Sequence, residues 1–116
     1  MAARIAGLLR MRSVPARSSS STLLSGTSAK PKANHLAVIK AALGDLDRVE
    51  RIVKIWGYVN VAPGFTDMPS VINGESDLLV KLWGERGRHA RVALGLASLS
   101  RDAPVETEVI VQVRDK

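Results

Sequence analysis

An α+β domain with the order helix, strand, helix, strand, strand is predicted by three observations on the sequence. Apolar residues recur at helical spacing before Gly44 and again between Thr66 and Gly84. Strand-like runs occupy Arg51 to Val61, Ala90 to Ala97 and Val105 to Val113. Gly44, Pro63-Gly64, Gly84 and the stretch from Ser98 to Pro104 punctuate these segments.

In the first helix Asn34 is read as the N-cap, Leu36, Ile39, Ala42 and Leu43 as the apolar stripe, and Gly44 as a left-handed stop. Asp45 to Arg48 reads as a turn. In the first strand Val53, Ile55, Val59 and Val61 are assigned to one face and Lys54, Trp56, Tyr58 and Asn60 to the other, where Trp56 and Tyr58 are expected to pack against a helix or a neighbouring subunit. Thr66 or Asp67, with Pro69 just inside, starts a second helix whose stripe is Val71, Ile72, Leu78, Leu79 and Leu82. Three strands and two helices leave exposed sheet edges, so self-association is expected.

Charge divides the chain. Residues 1–32 hold Arg4, Arg10, Arg12, Arg17, Lys30 and Lys32 and no acid, whereas residues 33–116 hold eleven basic and eleven acidic residues. The net charge of +6 therefore belongs to the first segment, and a neutral remainder that is poor in aromatics argues against nucleic acid as a partner. Residues 1–32 are Arg- and Ser-rich, with Ile5, Leu8, Leu9 and Met11 opposite Arg4 and Arg10, and they read as a disordered mitochondrial-type targeting leader. The matrix is the expected location, with a plastid or the cytoplasm as alternatives. The apolar run Ile5 to Leu9 is too short to span a membrane, and no membrane partner is expected.

The 116 residues contain no cysteine, which excludes disulfides, thiolate metal sites and a cysteine nucleophile. His35 and His89 are far apart with no ligand spacing around them, so neither a metal nor another cofactor is expected. Ser98 and Ser100 have no local base. Arg91 and Glu106 each stand near the start of an apolar strand, where a charge requires a partner or a ligand. An arginine fork suits a carboxylate, either a ligand's or that of Glu108 or another acid in a structural salt bridge. If the last two strands formed one regular hairpin, Arg91 would fall near Val111 and Glu106 near Leu96.

Ala41-Ala42-Leu43-Gly44-Asp45-Leu46-Asp47-Arg48-Val49, Gly87-Arg88-His89-Ala90-Arg91 and Val105-Glu106-Thr107-Glu108, taken in order, resemble the YjgF/RidA family of reactive intermediate deaminases, also labelled endoribonuclease L-PSP. The resemblance covers roughly residues 34–114. It implies a chorismate-mutase-like fold, a mixed sheet with two helices on one face, assembled as a homotrimer with sites between subunits. The two front strands of that fold are not recognisable, so residues 33–116 are read as a partial domain. Ser21-Thr22-Leu23-Leu24-Ser25-Gly26-Thr27 is similar to the strand and Ser-Gly element that lines the family's ligand site, and is read here as a chance match in a Ser-rich leader ahead of the alternative, a remnant left by deletion of the front half.

The resemblance further implies hydrolysis of reactive 2-imino or 2-enamino acids to 2-keto acids and ammonia. Arg91 would anchor the substrate carboxylate and Glu106 would position water. His89 stands where many members carry proline or another apolar residue, and Ala93 where many carry cysteine. The alternatives are a truncated, catalytically silent relative acting as a binding or assembly subunit and, third, a ribonuclease or RNA-binding activity.

Overall fold

The computed structural model describes residues 2–5, 8–13 and 29–115, with side chains from residue 35 onward. Its elements are β1 (Ala2–Ile5), β2 (Leu8–Ser13), α1 (Ala29–Leu43), β3 (Val49–Asn60), α2 (Met68–Trp83), β4 (Ala90–Leu96) and β5 (Val105–Val113). From α1 onward this is the predicted order. The sheet runs β1-β2-β5-β3-β4, with β3 and β4 parallel and the other neighbours antiparallel.

The mixed sheet β4-β3-β5 and the two helices form the fold that the resemblance implied. The sheet does not stop at three strands. β1 and β2 add to the β5 edge, with Leu8 opposite Gln112 and Ser13 opposite Thr107. Both strands lie within residues 1–32, where composition predicted disorder, and residues 29–32 belong to α1. A presequence-like pattern and a short edge hairpin can be written with the same mixture of Arg and apolar residues. The Ser21 to Thr27 match lies outside the described residues.

The helix boundary also moves. α1 begins five residues before Asn34, which is therefore interior and not a cap. It still ends at Gly44, whose φ is +80° and whose N–H donates to Lys40 O at 2.7 Å. Its buried residues among those with described side chains are His35, Ile39 and Leu43, a stripe of i, i+4 and i+8, while Ala42 is exposed. In α2 the buried positions are Ile72, Glu75 and Leu79. Leu82, expected in the stripe, is 49% exposed, because the helix turns its Glu75 side toward α1. Across that contact His35 Nδ1 and Glu75 Oε1 approach to 2.5 Å, both side chains nearly fully buried.

The register of β3 shifts between Val49 and Arg51 and again between Ile52 and Lys54. This bulge moves Ile52 into the core in place of the expected Val53, after which Ile55, Gly57 and Val59 continue the helix-facing side. Gly57 is needed there because a Cβ would collide with the Ile72 side chain of α2. The core joins Ile39, Ile52, Ile55, Ile72, Leu79, Val109 and Val111.

β4 and β5 do not form a hairpin. β3 lies between them, and the 97–104 connection passes the end of β3, where Asn60 N–H donates to Pro104 O and Asn60 Nδ2 reaches Asp102 Oδ1 and Ala103 O. Arg101 and Asp102 take φ of +55° and +54° in this tight crossing.

Candidate functional site

β4 is the edge strand opposite the N-terminal hairpin, and its residues alternate between two environments. Arg91 pairs with Ile55 and points to α2. Val92, Leu94 and Leu96 pair with Trp56, Tyr58 and Asn60 on the face away from α1 and α2.

Arg91 is held by neutral groups. Its Nη1 donates to Asn73 Oδ1 at 2.6 Å and lies 3.3 Å from Ser76 Oγ. Asn73 and Ser76 are three residues apart on α2, the spacing that places two side chains on one helix face. Both contacts use Nη1, so Nε and Nη2, one of the guanidinium's paired donor edges, have no protein partner among the described residues. A structural salt bridge to Glu108 is not formed, since Glu108 lies opposite Trp56 on the other face of the sheet.

His89, two residues before Arg91, joins the same cluster. Its Nε2 is 2.9 Å from Ser76 Oγ and its Nδ1 is 2.6 Å from Gly87 O. A carbonyl only accepts, so Nδ1 carries a proton and donates to Gly87. Gly87 is fixed in turn: it is buried, and a Cβ there would strike the Leu79 carbonyl of α2. Ser76, His89 and Arg91, with Asp77, Val80, Lys81 and Arg88, line an open groove of about 620 Å³. Its walls carry more positive than negative charge. Arg88 also meets Glu85 at 3.2 Å, an exposed pair of little energetic weight.

Glu106 is elsewhere. It pairs with Tyr58 and is 2% exposed, on the face opposite the Arg91 side chain and with β3 between the two strands. On that face Lys54 Nζ sits 4.1 Å from the Trp56 ring centroid, and Leu94 and Leu96 are 45% and 38% exposed. Within one chain the sheet separates the two predicted site residues.

Sequence reading missed Asn73 and Ser76. The signal was present as an i, i+3 polar pair on the flank of an amphipathic helix, but nothing local shows that this flank meets β4. His89 and Ser76 are thirteen residues apart, and no local pattern in the sequence pairs them.

Similarity to known proteins decides the family. The model described as "YjgF/chorismate_mutase-like, putative endoribonuclease" matches residues 19–103, well over half of the chain. The chain belongs to the YjgF family. The match begins earlier than the motif resemblance and takes in Ser21 to Thr27; Arg91 falls inside it and Glu106 just beyond. Among solved structures, the protein Atu1372 of Agrobacterium tumefaciens is 34% identical with a TM-score of 0.86, over 97% of this chain and 80% of that one. A "putative endoribonuclease" of Shewanella oneidensis is 22% identical with a TM-score of 0.83, over 97% and 83% of the two chains, and shows the fold alone. The curated Protein TCP17 of Trypanosoma cruzi is 49% identical over 78 residues, 66% of this chain and 49% of that protein. The chain spans about half the length of this curated relative.

Proposed function

We propose that this YjgF protein is a deaminase that hydrolyses small reactive 2-imino and 2-enamino acids to 2-keto acids and ammonia. The observation that carries the reading is Arg91: a guanidinium tethered through Nη1 by uncharged partners, with its Nε/Nη2 edge left for a ligand in an open groove. A cation held without a carboxylate is suited to receive one, and the planar fork gives two parallel, charge-assisted hydrogen bonds. Such a grip orients the adjacent C=N carbon for attack by water.

The chain works as a homotrimer in this proposal. Trp56, Tyr58, Val92, Leu94 and Leu96 form an apolar strip on the face away from α1 and α2 that further copies would cover, and the groove opens beside the β4 edge, where a neighbouring copy would meet it. Glu106 then positions water across a subunit boundary. Residues 1–32 direct import into the mitochondrial matrix, on the strength of their acid-free, Arg-rich composition. The test is ammonia release from 2-iminobutanoate or 2-aminoacrylate generated in place: acceleration by the folded chain is expected, and none would sink the reading.

The opposite-face placement of Arg91 and Glu106 favours one second reading, a catalytically silent relative that binds small carboxylates or serves as an assembly subunit. It predicts binding of 2-keto acids with no turnover. An RNA-directed activity has less support, since Trp56 and Tyr58 lie across the sheet from the groove's basic residues.

A further inference from the structure

The proposed reaction needs a proton delivered to the enamine carbon and another removed from water. Within one protomer the carboxyl group of Glu106 is on the wrong side of the sheet to do either at Arg91. The titratable group that does touch the Arg91 cluster is His89, through Ser76. Building on the deaminase reading, we infer that Gly87, His89 and Ser76 form a proton relay, with Ser76 as the catalytic acid and His89 as the positioning and proton-holding group behind it.

The hydrogen-bond directions support this. Gly87 O accepts from His89 Nδ1 in either charge state of the ring, so only Nε2 changes role. With the imidazole neutral, Nε2 accepts and the Ser76 hydroxyl proton points to it. With the imidazole protonated, Nε2 donates to Ser76 Oγ, and Arg91 Nη1 donates to the same oxygen from 3.3 Å. Both lone pairs of Oγ are then occupied, and the hydroxyl proton has to turn toward the groove, beside the place where a carboxylate on Arg91 would hold its enamine.

The step balances. The Ser76 O–H bond breaks as a C–H bond forms at the enamine methylene; the C=C pair becomes that C–H bond, and the nitrogen lone pair makes C=N. Nε2–H passes to Ser76 Oγ, leaving neutral imidazole. Water then adds to the iminium carbon and gives its proton to Ser76 Oγ as the Ser76 hydroxyl proton passes back to Nε2; the carbinolamine O–H proton moves to the amine nitrogen, the C–N bond breaks, and ammonia leaves with the 2-keto acid formed. The charged groups around His89 are Asp77 and Lys81 of α2, Arg88 beside it and Arg91 of β4. Lys54, opposite Ala90 on β3, is on the other face.

The test is steady-state ammonia release by the full chain across the pH range in which imidazoles titrate, for the unmutated protein, His89→Gln and Ser76→Ala. Gln keeps a group that can bond Ser76 but does not titrate. The expected result is kcat lowered on the order of a hundredfold in both variants with KM within a few-fold, the usual effect of losing a positioned acid. The protonated ring is the active form, so kcat of the unmutated protein should fall as pH rises, and His89→Gln should lack that limb. If His89→Gln does not fold, Ser76→Ala carries the test, because Asn73 still tethers Arg91. An active unmutated protein whose His89→Gln or Ser76→Ala variant matches it in kcat and pH profile overturns the relay and leaves the deaminase reading standing. An inactive, folded unmutated protein overturns both.

Discussion

Arg91 and Glu106, fifteen positions apart in sequence, face opposite sides of one sheet, Arg91 toward α2 and Glu106 beside Tyr58 on the face away from α1 and α2. If both serve one reaction, they serve it from different subunits. Arg91→Ala and Glu106→Gln should then complement: each homo-oligomer is expected to be nearly inactive, and unfolding and refolding them together should restore part of the activity through sites with both groups intact. Light scattering on the same samples should give the mass of a trimer. Two inactive variants that stay inactive when co-assembled, or a folded monomer at micromolar concentration, would refute the shared site.

Substitutions at Arg91 separate charge from geometry. Arg91→Ala should lower kcat/KM tenfold or more with the circular dichroism spectrum unchanged, since a charge-assisted hydrogen bond contributes about 1.5–3 kcal/mol. Arg91→Lys keeps the charge and loses the planar fork, and should recover only a minor part. Asn73→Ala removes the shorter of the two tethers on Nη1 and should raise KM while sparing stability, because Asn73 is exposed. Full rescue by Lys would show that the fork is not what the site uses.

Much of the fold was legible because its signals are local. Gly44 and Gly84 end helices where the sequence says they do, Pro69 starts α2, and β5 has its expected bounds. Three features were not local. The N-terminal hairpin is stabilised by β5, about a hundred residues later, and nothing in residues 2–13 alone separates it from an amphipathic leader. The β3 bulge exchanges Val53 for Ile52 without changing composition. Most consequential, the strand order puts β3 between β4 and β5, so a spacing of fifteen that would suit a hairpin instead divides two residues between faces. Arg91 was identifiable as a charge in an apolar strand, whereas its clamp on α2 depends on how the helix docks.

The buried His35–Glu75 pair offers a stability test that leaves the groove untouched. Among the described residues His35 Nε2 and Glu75 Oε2 have no hydrogen-bond partner, so the pair is satisfied there through a single contact at 2.5 Å. Removing one member strands the other in the core between α1 and α2, a change that costs about 3–5 kcal/mol in buried pairs, while replacing both with apolar residues of similar volume is near neutral. His35→Leu and Glu75→Leu should each lower the denaturant midpoint sharply, and the double variant should regain most of the loss. Additive losses in the double variant would show that the two side chains are not energetically coupled.

The N-terminal segment is subject to two demands that one experiment separates. As β1 and β2 it covers the β5 edge over six residue pairs; as a leader it would be removed between Arg17 and Asn34, and the edge with it. A sheet edge left open in this way invites pairing with other chains. Deleting residues 1–13 should therefore lower the melting temperature by on the order of 10 °C, which corresponds to roughly 2 kcal/mol in a domain of this size, and should promote aggregation. An unchanged melting temperature and a clean scattering profile would show that the hairpin is dispensable, as a cleaved leader requires. In parallel, residues 1–32 fused to a fluorescent protein should enter mitochondria if the import proposal holds, and a diffuse cytosolic signal would end it. If the fusion is imported and the deletion is destabilising, the mature protein must retain its first strands, and the amino terminus of the organelle-purified chain, read by mass spectrometry, should lie at or before Ala2.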